Sequence, residues 1–590
     1  MLDFNKKYKE EKGMVLKKMM SVLLASVMVL SLAACGNSKS EGGVSSSAES
    51  GLAENGTAEE KEYDGEFDEN GLSKPGQLPI SKEPITMSIF VGQQPGVVDI
   101  TKHSIFKELT EKTNINFEFI VAPQEGAQDK LNMLLASGDY PDIIIGGFFT
   151  NADLVKYGTG ENILIPLNDL IEENCVNLKE RWEDAPKIKE MMTTPDGNIY
   201  GIPSLDSGGL GHGAVNYKVW MNKEWLENVG MEAPQTTEEF RAVLEAFKEQ
   251  DANGNGDPND EIPFSGAINT WAAEVYPYLI NAFDYFDPSN GYLKLKDGVI
   301  SGTAGTDGVR EGLKYIAGLY ADGLIDPAAL TQDESQLSAL GTKEEVICGT
   351  AACGHIGMFV DINDIQRSAA YDNLLPLEGP DGYRGIPTQT EPVVSGAAFV
   401  ITDKCQYPEA AIKLADLFCG EEWSLRTQVG IKGQQWDDAD EGTFTMDGTT
   451  PATRKYLEMR TQNATAAEDI KWHWTLRLVE PDWKNTFQVV GDITDPANYE
   501  ARLIQCTQKL APYAADAEYI PPFYMEVEKA NQVASMKTAI DDYVKASFIE
   551  FITGAKDPEK DWDAYLAGLD KLQYNDYIAL NQEAYDSTYK

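Results

Sequence analysis

Positive charge is scarce in this chain. Its 49 lysines and arginines face 95 aspartates and glutamates, giving a formal charge of −46. A surface of that sign repels nucleic acid and anionic lipid headgroups and excludes both as partners, while leaving the sign of any single cleft open. After the first 34 residues no apolar run is long enough to span a bilayer. Cysteines are few and scattered: beyond Cys35 there are Cys175, Cys348, Cys353, Cys405, Cys419 and Cys506, too dispersed for a disulfide framework. Cys348 and Cys353 are the candidate bridge, and with His355 they make three zinc-ligand types without a fourth nearby. No nucleophile elbow, phosphate loop or zincin motif occurs. Acidic residues are so numerous that a pair of glycosidase carboxylates stays open as an alternative.

The chain does have ample material for packed cores. Hydrophobic residues make up 42% and aromatics 10% of it, and 590 residues exceed the size at which one core stops growing. Two lobes are the default. At the start, Lys17 and Lys18 precede an apolar run from Met19 to Leu32 and then Ala33-Ala34, the pattern of a secretory signal. Leu32-Ala33-Ala34-Cys35 resembles the lipobox of bacterial lipoproteins, which implies cleavage before Cys35 and lipid on its thiol. Residues 1–34 are thus a signal peptide, with Met14 as the expected translation start. Residues 35–82, rich in Ser, Gly, Glu and Asn, are expected to be a lipidated cysteine and flexible tether, holding the protein outside the cell at the membrane.

Structure is expected to begin near Glu83. Ile85–Val91 and Ile115–Val121 alternate as strands, Ser104–Lys112 and Gln128–Ser137 carry helical periodicity, and Ile143–Ile145 run into Gly146-Gly147. Strand-helix-strand-helix-strand predicts a parallel α/β sheet whose ligands sit beyond the carboxyl ends of strands. That places Phe148 and Phe149 at a cleft edge. Thr236 and Glu239 are expected to form a capping box before the helix carrying Phe240, Val243, Leu244 and Phe247.

Three segments now point to one family. Asp139-Tyr140-Pro141-Asp142-Ile143, Asp196-Gly197-Asn198-Ile199-Tyr200-Gly201-Ile202-Pro203 and Asn222-Lys223-Glu224-Trp225-Leu226 with Pro234-Gln235-Thr236-Thr237 resemble, in order, motifs of extracellular solute-binding proteins serving ABC transporters. Further matches at Gly354–Met358, Tyr407–Ala411 and Gly430–Trp436 extend the resemblance toward Asp586. It implies an α/β, two-lobed periplasmic-binding-protein-like fold with interdomain crossing segments. Lobe 1 would comprise 83–205 plus about 395–465, and lobe 2 about 206–394 plus 466–590. It also implies a monomeric receptor that closes on a sugar or oligosaccharide and delivers it to a membrane permease. The alternatives are a surface glycoside hydrolase and a peptide-binding lipoprotein.

The sharpest chemical motif is Asp251-Ala252-Asn253-Gly254-Asn255-Gly256-Asp257-Pro258-Asn259-Asp260-Glu261. Oxygen side chains at alternate positions with interleaved glycines suit a hard cation, so Asp251, Asn253, Asn255, Asp257, Asp260 and Glu261 are candidate calcium ligands. Position twelve is Ile262, so this is not a complete EF-hand, and relatives' similar loops lack the extra residue before Asp260. A structural staple is expected rather than a sensor. For the ligand, aromatic platforms and neighbouring polar groups suit sugars, which nominates Trp271, Tyr276, Trp436 and Trp474 with Asp206 and Asp361.

Overall fold

The structure is a computed structural model describing residues 65–590 apart from 94–98, 123–125, 185, 207–213, 258, 269, 390–392, 458–485 and 519; for 184, 187, 204–206 and 393–396 it describes the backbone alone. Cys35, Trp474 and the expected signal peptide therefore lie outside the described residues.

The alternating and apolar stretches form strands β1 (Ile85–Gly92), β2 (Ile115–Ala122) and β3 (Ile143–Phe149). Helices Ser104–Thr113 and Ala127–Ser137 are the crossovers that let β1 pair in parallel with both β2 and β3. After β4 (Ile202–Asp206) the chain builds a second layer from β5 (Val219–Asn222), the hairpin β6 (Leu293–Lys296) and β7 (Val299–Gly302), β8 (Thr350–Ala352) and β9 (Tyr371–Asn373). It returns as β10 (Val393–Ile401), which inserts antiparallel between β3 and β4. The first sheet has the order β2-β1-β3-β10-β4, and in the second β5 is flanked antiparallel by β8 and β9.

Two large hydrophobic cores follow from this path. One gathers residues between Leu72 and Ile202 and again between Ala397 and Trp423; the other spans Val215 to Ile386 and resumes from Leu510 to Tyr577. Each fully buried Ile, Leu or Phe contributes about 1.5–3 kcal/mol, and both cores hold many, among them Ile89, Phe90, Phe264 and Phe548. The chain passes between the cores after β4 and before β10, and Gln389 N–H donates to Ala214 O at 2.7 Å where the two passages enter the second core. Gly201 permits the close approach of β4 to β10, since a Cβ there would lie 2.4 Å from Ala397 Cβ. Among the described residues no helix is long and apolar enough to cross a membrane.

The family-like motifs act as clamps on this frame. Asp142 Oδ2 accepts from Ser88 N–H and Oγ–H, both at 2.7 Å, while Thr402 Oγ donates to Pro141 O at 2.6 Å, so β1, β3 and β10 are tied at one corner. Asp196 gathers Thr194 and Thr159 hydroxyls, Tyr200 OH and Asn198 N–H in the turn that feeds β4.

Three expectations need correction. Folded chain starts before Glu83: Leu72 and Ile80 are buried in the first core, and Ser73 N–H donates to Ile80 O. The composition there is polar, but two apolar side chains docking on a preformed core suffice. The capping box is half formed, because Thr236 Oγ accepts from Glu239 N–H while Glu239 Oε2 takes the N–H of Gln235 instead. Cys348 and Cys353 are free thiols. They flank extended β8, and five extended residues separate Cα atoms by roughly 16 Å, far beyond the ~7 Å reach of a disulfide.

Candidate ligand site and cation loop

Val219 lies opposite Ala352, so the start of β5 and the end of β8 share one sheet edge. The segment containing Ile262 and Ser265 runs parallel to the one containing Cys348 and Ala351, so loops 268–274 and 354–358 emerge at that same edge. In the first layer the carboxyl ends of β3 and β4 and the start of β10 share an edge, with Phe149 opposite Ala397 and Asp206 opposite Val393. The crossing segments join these two edges. Both layers thus offer strand carboxyl ends, the usual ligand side of α/β sheets, toward the connection.

On the second layer's edge stands Trp271, 44% exposed. Its inner face rests on bare backbone: a Cβ on Gly354 would come within 2.2 Å of the indole. His355 lies beside it, ring centroids 6.0 Å apart. Tyr499 OH accepts from Gly357 N–H at 2.9 Å and sits 2.9 Å from His355 Nδ1, a hydrogen bond that orients the imidazole. Glu274 is half-buried three residues along, and burial pushes its carboxyl up from the ordinary range. An aromatic plate with a desolvated carboxylate nearby can stack on a sugar face and bind its hydroxyls. Tyr499 was not legible as part of this arrangement; it is 144 residues from His355.

The 251–261 loop is a net of Asx turns. Asp251 Oδ2 accepts from Gly256 N–H, Asn253 Oδ1 from Asn255 N–H, and Asn255 Oδ1 from Asp257 N–H. Asp260 takes the amides of Asn253 and Asn255 at 3.1 and 2.9 Å, and Glu261 Oε1 accepts from Ala252 N–H. Two carboxylate oxygens, Asp251 Oδ1 and Glu261 Oε2, are buried with no hydrogen-bond partner, and burial raises the Glu261 pKa. Among the described residues no three His, Cys, Asp or Glu side chains converge as a metal site by themselves. The donor set nevertheless fits a hard cation, since amide and backbone oxygens serve calcium as readily as carboxylates. Asn255 Nδ2 also reaches Glu345 Oε1 at 2.6 Å, outside the loop.

The other nominated residues are placed as follows. Tyr276 is 3% exposed and packs edge-on against Phe286 and Phe548, inside the second core, where its helix is buried all round. Phe149 is buried against Tyr157. Trp436 is 9% exposed, donates Nε1–H to Gly430 O at 3.2 Å and packs with Leu425, Val429 and Phe487. Tyr276 and Trp436 were nominated as stacking rings and Phe149 for its place at a strand's carboxyl end, and all three rings are packed against other side chains. Asp361 is exposed and closes an Asx turn on Asn363. Phe148 is half-buried, edge-on to Phe90 at 5.2 Å. Asp206 ends β4, and its backbone alone is described.

With this geometry established, comparison with known proteins is decisive. The family model for bacterial extracellular solute-binding proteins matches residues 98–423, more than half of the chain. The chain belongs to this family. It is 29% identical over 494 residues to the fructooligosaccharide ABC transporter substrate-binding protein FusA of Streptococcus pneumoniae serotype 4, covering 83% of this chain and 87% of the relative. The solved structure of a FusA EF-hand mutant with fructo-nystose superimposes with a TM-score of 0.72 at 26% identity, covering 85% of this chain and 99% of that one. Lipoprotein LipO of Bacillus subtilis strain 168 is 25% identical over 364 residues, 58% of this chain and 66% of the relative. Members are binding proteins of the cell exterior, and the two-lobed fold is that of the family.

Proposed function

We propose that the protein is the lipid-anchored receptor of an ABC importer, closing two lobes on an oligosaccharide and presenting it to a membrane permease as a monomer. The observation that carries this reading is Trp271, an exposed indole held flat by Gly354 at the carboxyl-end edge of the second layer. Kinship with a fructooligosaccharide receptor supplies the ligand class. Closure works because a ligand touching both edges binds the closed state better than the open one. The lobes correspond to the two cores, with β4 and β10 leading to the crossings.

The 251–261 loop is the proposed calcium site, held by Asp251, Asn253, Asn255, Asp257, Asp260 and Glu261, with the orphaned oxygens of Asp251 and Glu261 as support. That the related FusA has been solved as an EF-hand mutant supports it. Calcium there would cross-link the end of helix Thr237–Glu249 to the segment entering the sheet. Lipid on Cys35 is proposed from the sequence and from kinship with a lipoprotein.

Titration calorimetry with a panel of neutral and uronic oligosaccharides tests the whole. One-to-one binding without released products is the expected result; turnover would sink the receptor reading. Chelator is expected to lower the unfolding temperature, and an unchanged temperature would remove calcium. Cys35→Ala is expected to reach the medium while retaining ligand affinity.

A further inference from the structure

Asn253-Gly254-Asn255-Gly256 sets two Asn-Gly pairs side by side in the 251–261 loop. At such a pair a side-chain amide can react with its own backbone, because glycine leaves the next peptide nitrogen unshielded. The two pairs are alike in most respects. Gly254 and Gly256 are both exposed, with left-handed φ of +73° and +94°. Asn253 Oδ1 accepts from Asn255 N–H at 2.9 Å, and Asn255 Oδ1 from Asp257 N–H at 2.7 Å. Each asparagine is thus folded back over the peptide that follows it, as an Asx turn requires. Each side-chain nitrogen also donates to Asp260.

They differ at the nitrogen that would attack. Gly256 N–H donates to Asp251 Oδ2 at 2.9 Å, whereas Gly254 N–H makes no hydrogen bond among the described residues. The other Asn-Gly pairs in the described residues resemble Gly256: Gly71 N–H is held by Asp68 O and Gly291 N–H by Pro288 O, both at 3.1 Å. Asn255 is restrained further, since its amide also reaches Glu345 Oε1 at 2.6 Å.

We propose that Asn253 is a site of spontaneous covalent modification, where the Gly254 nitrogen cyclises onto the Asn253 side chain and water converts the product to aspartate and isoaspartate. The Gly254 peptide nitrogen loses its proton to solvent base and bonds to Asn253 Cγ. The Cγ–Nδ2 bond breaks, and the amide takes up a proton and leaves as ammonia. Water then opens the five-membered succinimide. Attack at the side-chain carbonyl restores a normal peptide bond and an aspartate; attack at the main-chain carbonyl leaves the chain running through the side chain as isoaspartate. At Gly256 the same reaction must first release an N–H held by a carboxylate and would form the nitrogen anion beside Asp251. That difference slows Asn255 roughly tenfold relative to Asn253. Either product places a carboxylate where Asn253 Nδ2 now donates to Asp260 Oδ1 at 3.1 Å, so an attraction becomes a like-charge contact. Isoaspartate also lengthens the main chain and dissolves the Asn253 turn. The inference rests on neither the receptor reading nor the calcium reading.

The test holds the full-length mature protein at mildly alkaline pH with chelator, so that no cation pins the loop. Peptide mapping by mass spectrometry follows each Asn-Gly pair, and fragmentation separates aspartate from isoaspartate. Asn253 is expected to gain the mass of an amide-to-acid exchange roughly tenfold faster than Asn255. In concentrated urea, where the Gly256 N–H is released, the two rates are expected to converge. Asn253→Gln is expected to abolish conversion at that position, because the longer side chain would have to close a six-membered ring, and to leave the rate at Asn255 unchanged. Equal rates in the folded protein, a faster Asn255, or a ratio that persists in urea would overturn the proposal. So would an Asn253 that stays intact in the folded protein while the urea sample converts.

Discussion

Among the described tryptophans Trp271 alone is largely exposed; Trp182, Trp220, Trp225, Trp423, Trp436 and Trp562 are all below a tenth. An indole braced by backbone is preorganised for stacking. Trp271→Ala is expected to weaken oligosaccharide binding by about tenfold or more while moving the unfolding temperature little. Gly354→Ala is expected to have a comparable effect by displacing the ring, measurable in the same titration. At this scale the sequence was an uneven guide. Trp271, Tyr276, Phe149 and Trp436 have similar ring chemistry, and what separates them is which side of a helix or strand faces a core. A ring buried on a helix surrounded by core, like Tyr276, cannot be told from a platform without the partners Phe286 and Phe548.

At the scale of elements the sequence was legible, because local rules dominate there. Alternation places β1 and β2, a proline near the first turn starts helix Pro408–Cys419, and Asp-Gly turns carry their own hydrogen bonds. The turn before β4 makes a quantitative case. Burial alone would raise the Asp196 carboxyl, but hydrogen bonds from Thr194, Thr159, Asn198 and Tyr200 hold it well below the ordinary range. A depressed carboxyl stabilises the fold above its unfolded pKa of about 4 and loses that contribution as pH falls through the lower folded value. Asp196→Ala is therefore expected to cost about 1 kcal/mol near neutrality, discounted for the exposure of this turn. The difference from wild type should shrink below about pH 4. Urea titrations at neutral and acidic pH would read both. What local rules missed at this scale is long-range: Leu72 and Ile80 belong to no periodic pattern and fold only because a distant core receives them.

For the whole molecule, charge and ligand class meet. A formal charge of −46 surrounds the proposed oligosaccharide site. Such a net charge has no purchase on a neutral sugar and slows the approach of an anionic one. Affinity for a neutral oligosaccharide is therefore expected to stay constant between about 0.05 and 0.5 M salt. Binding of an oligogalacturonide is expected to strengthen over that range, as the screening length falls from about 14 Å to about 4 Å. A neutral ligand whose affinity fell steeply with salt would mean that charged contacts hold it, which stacking on Trp271 does not provide.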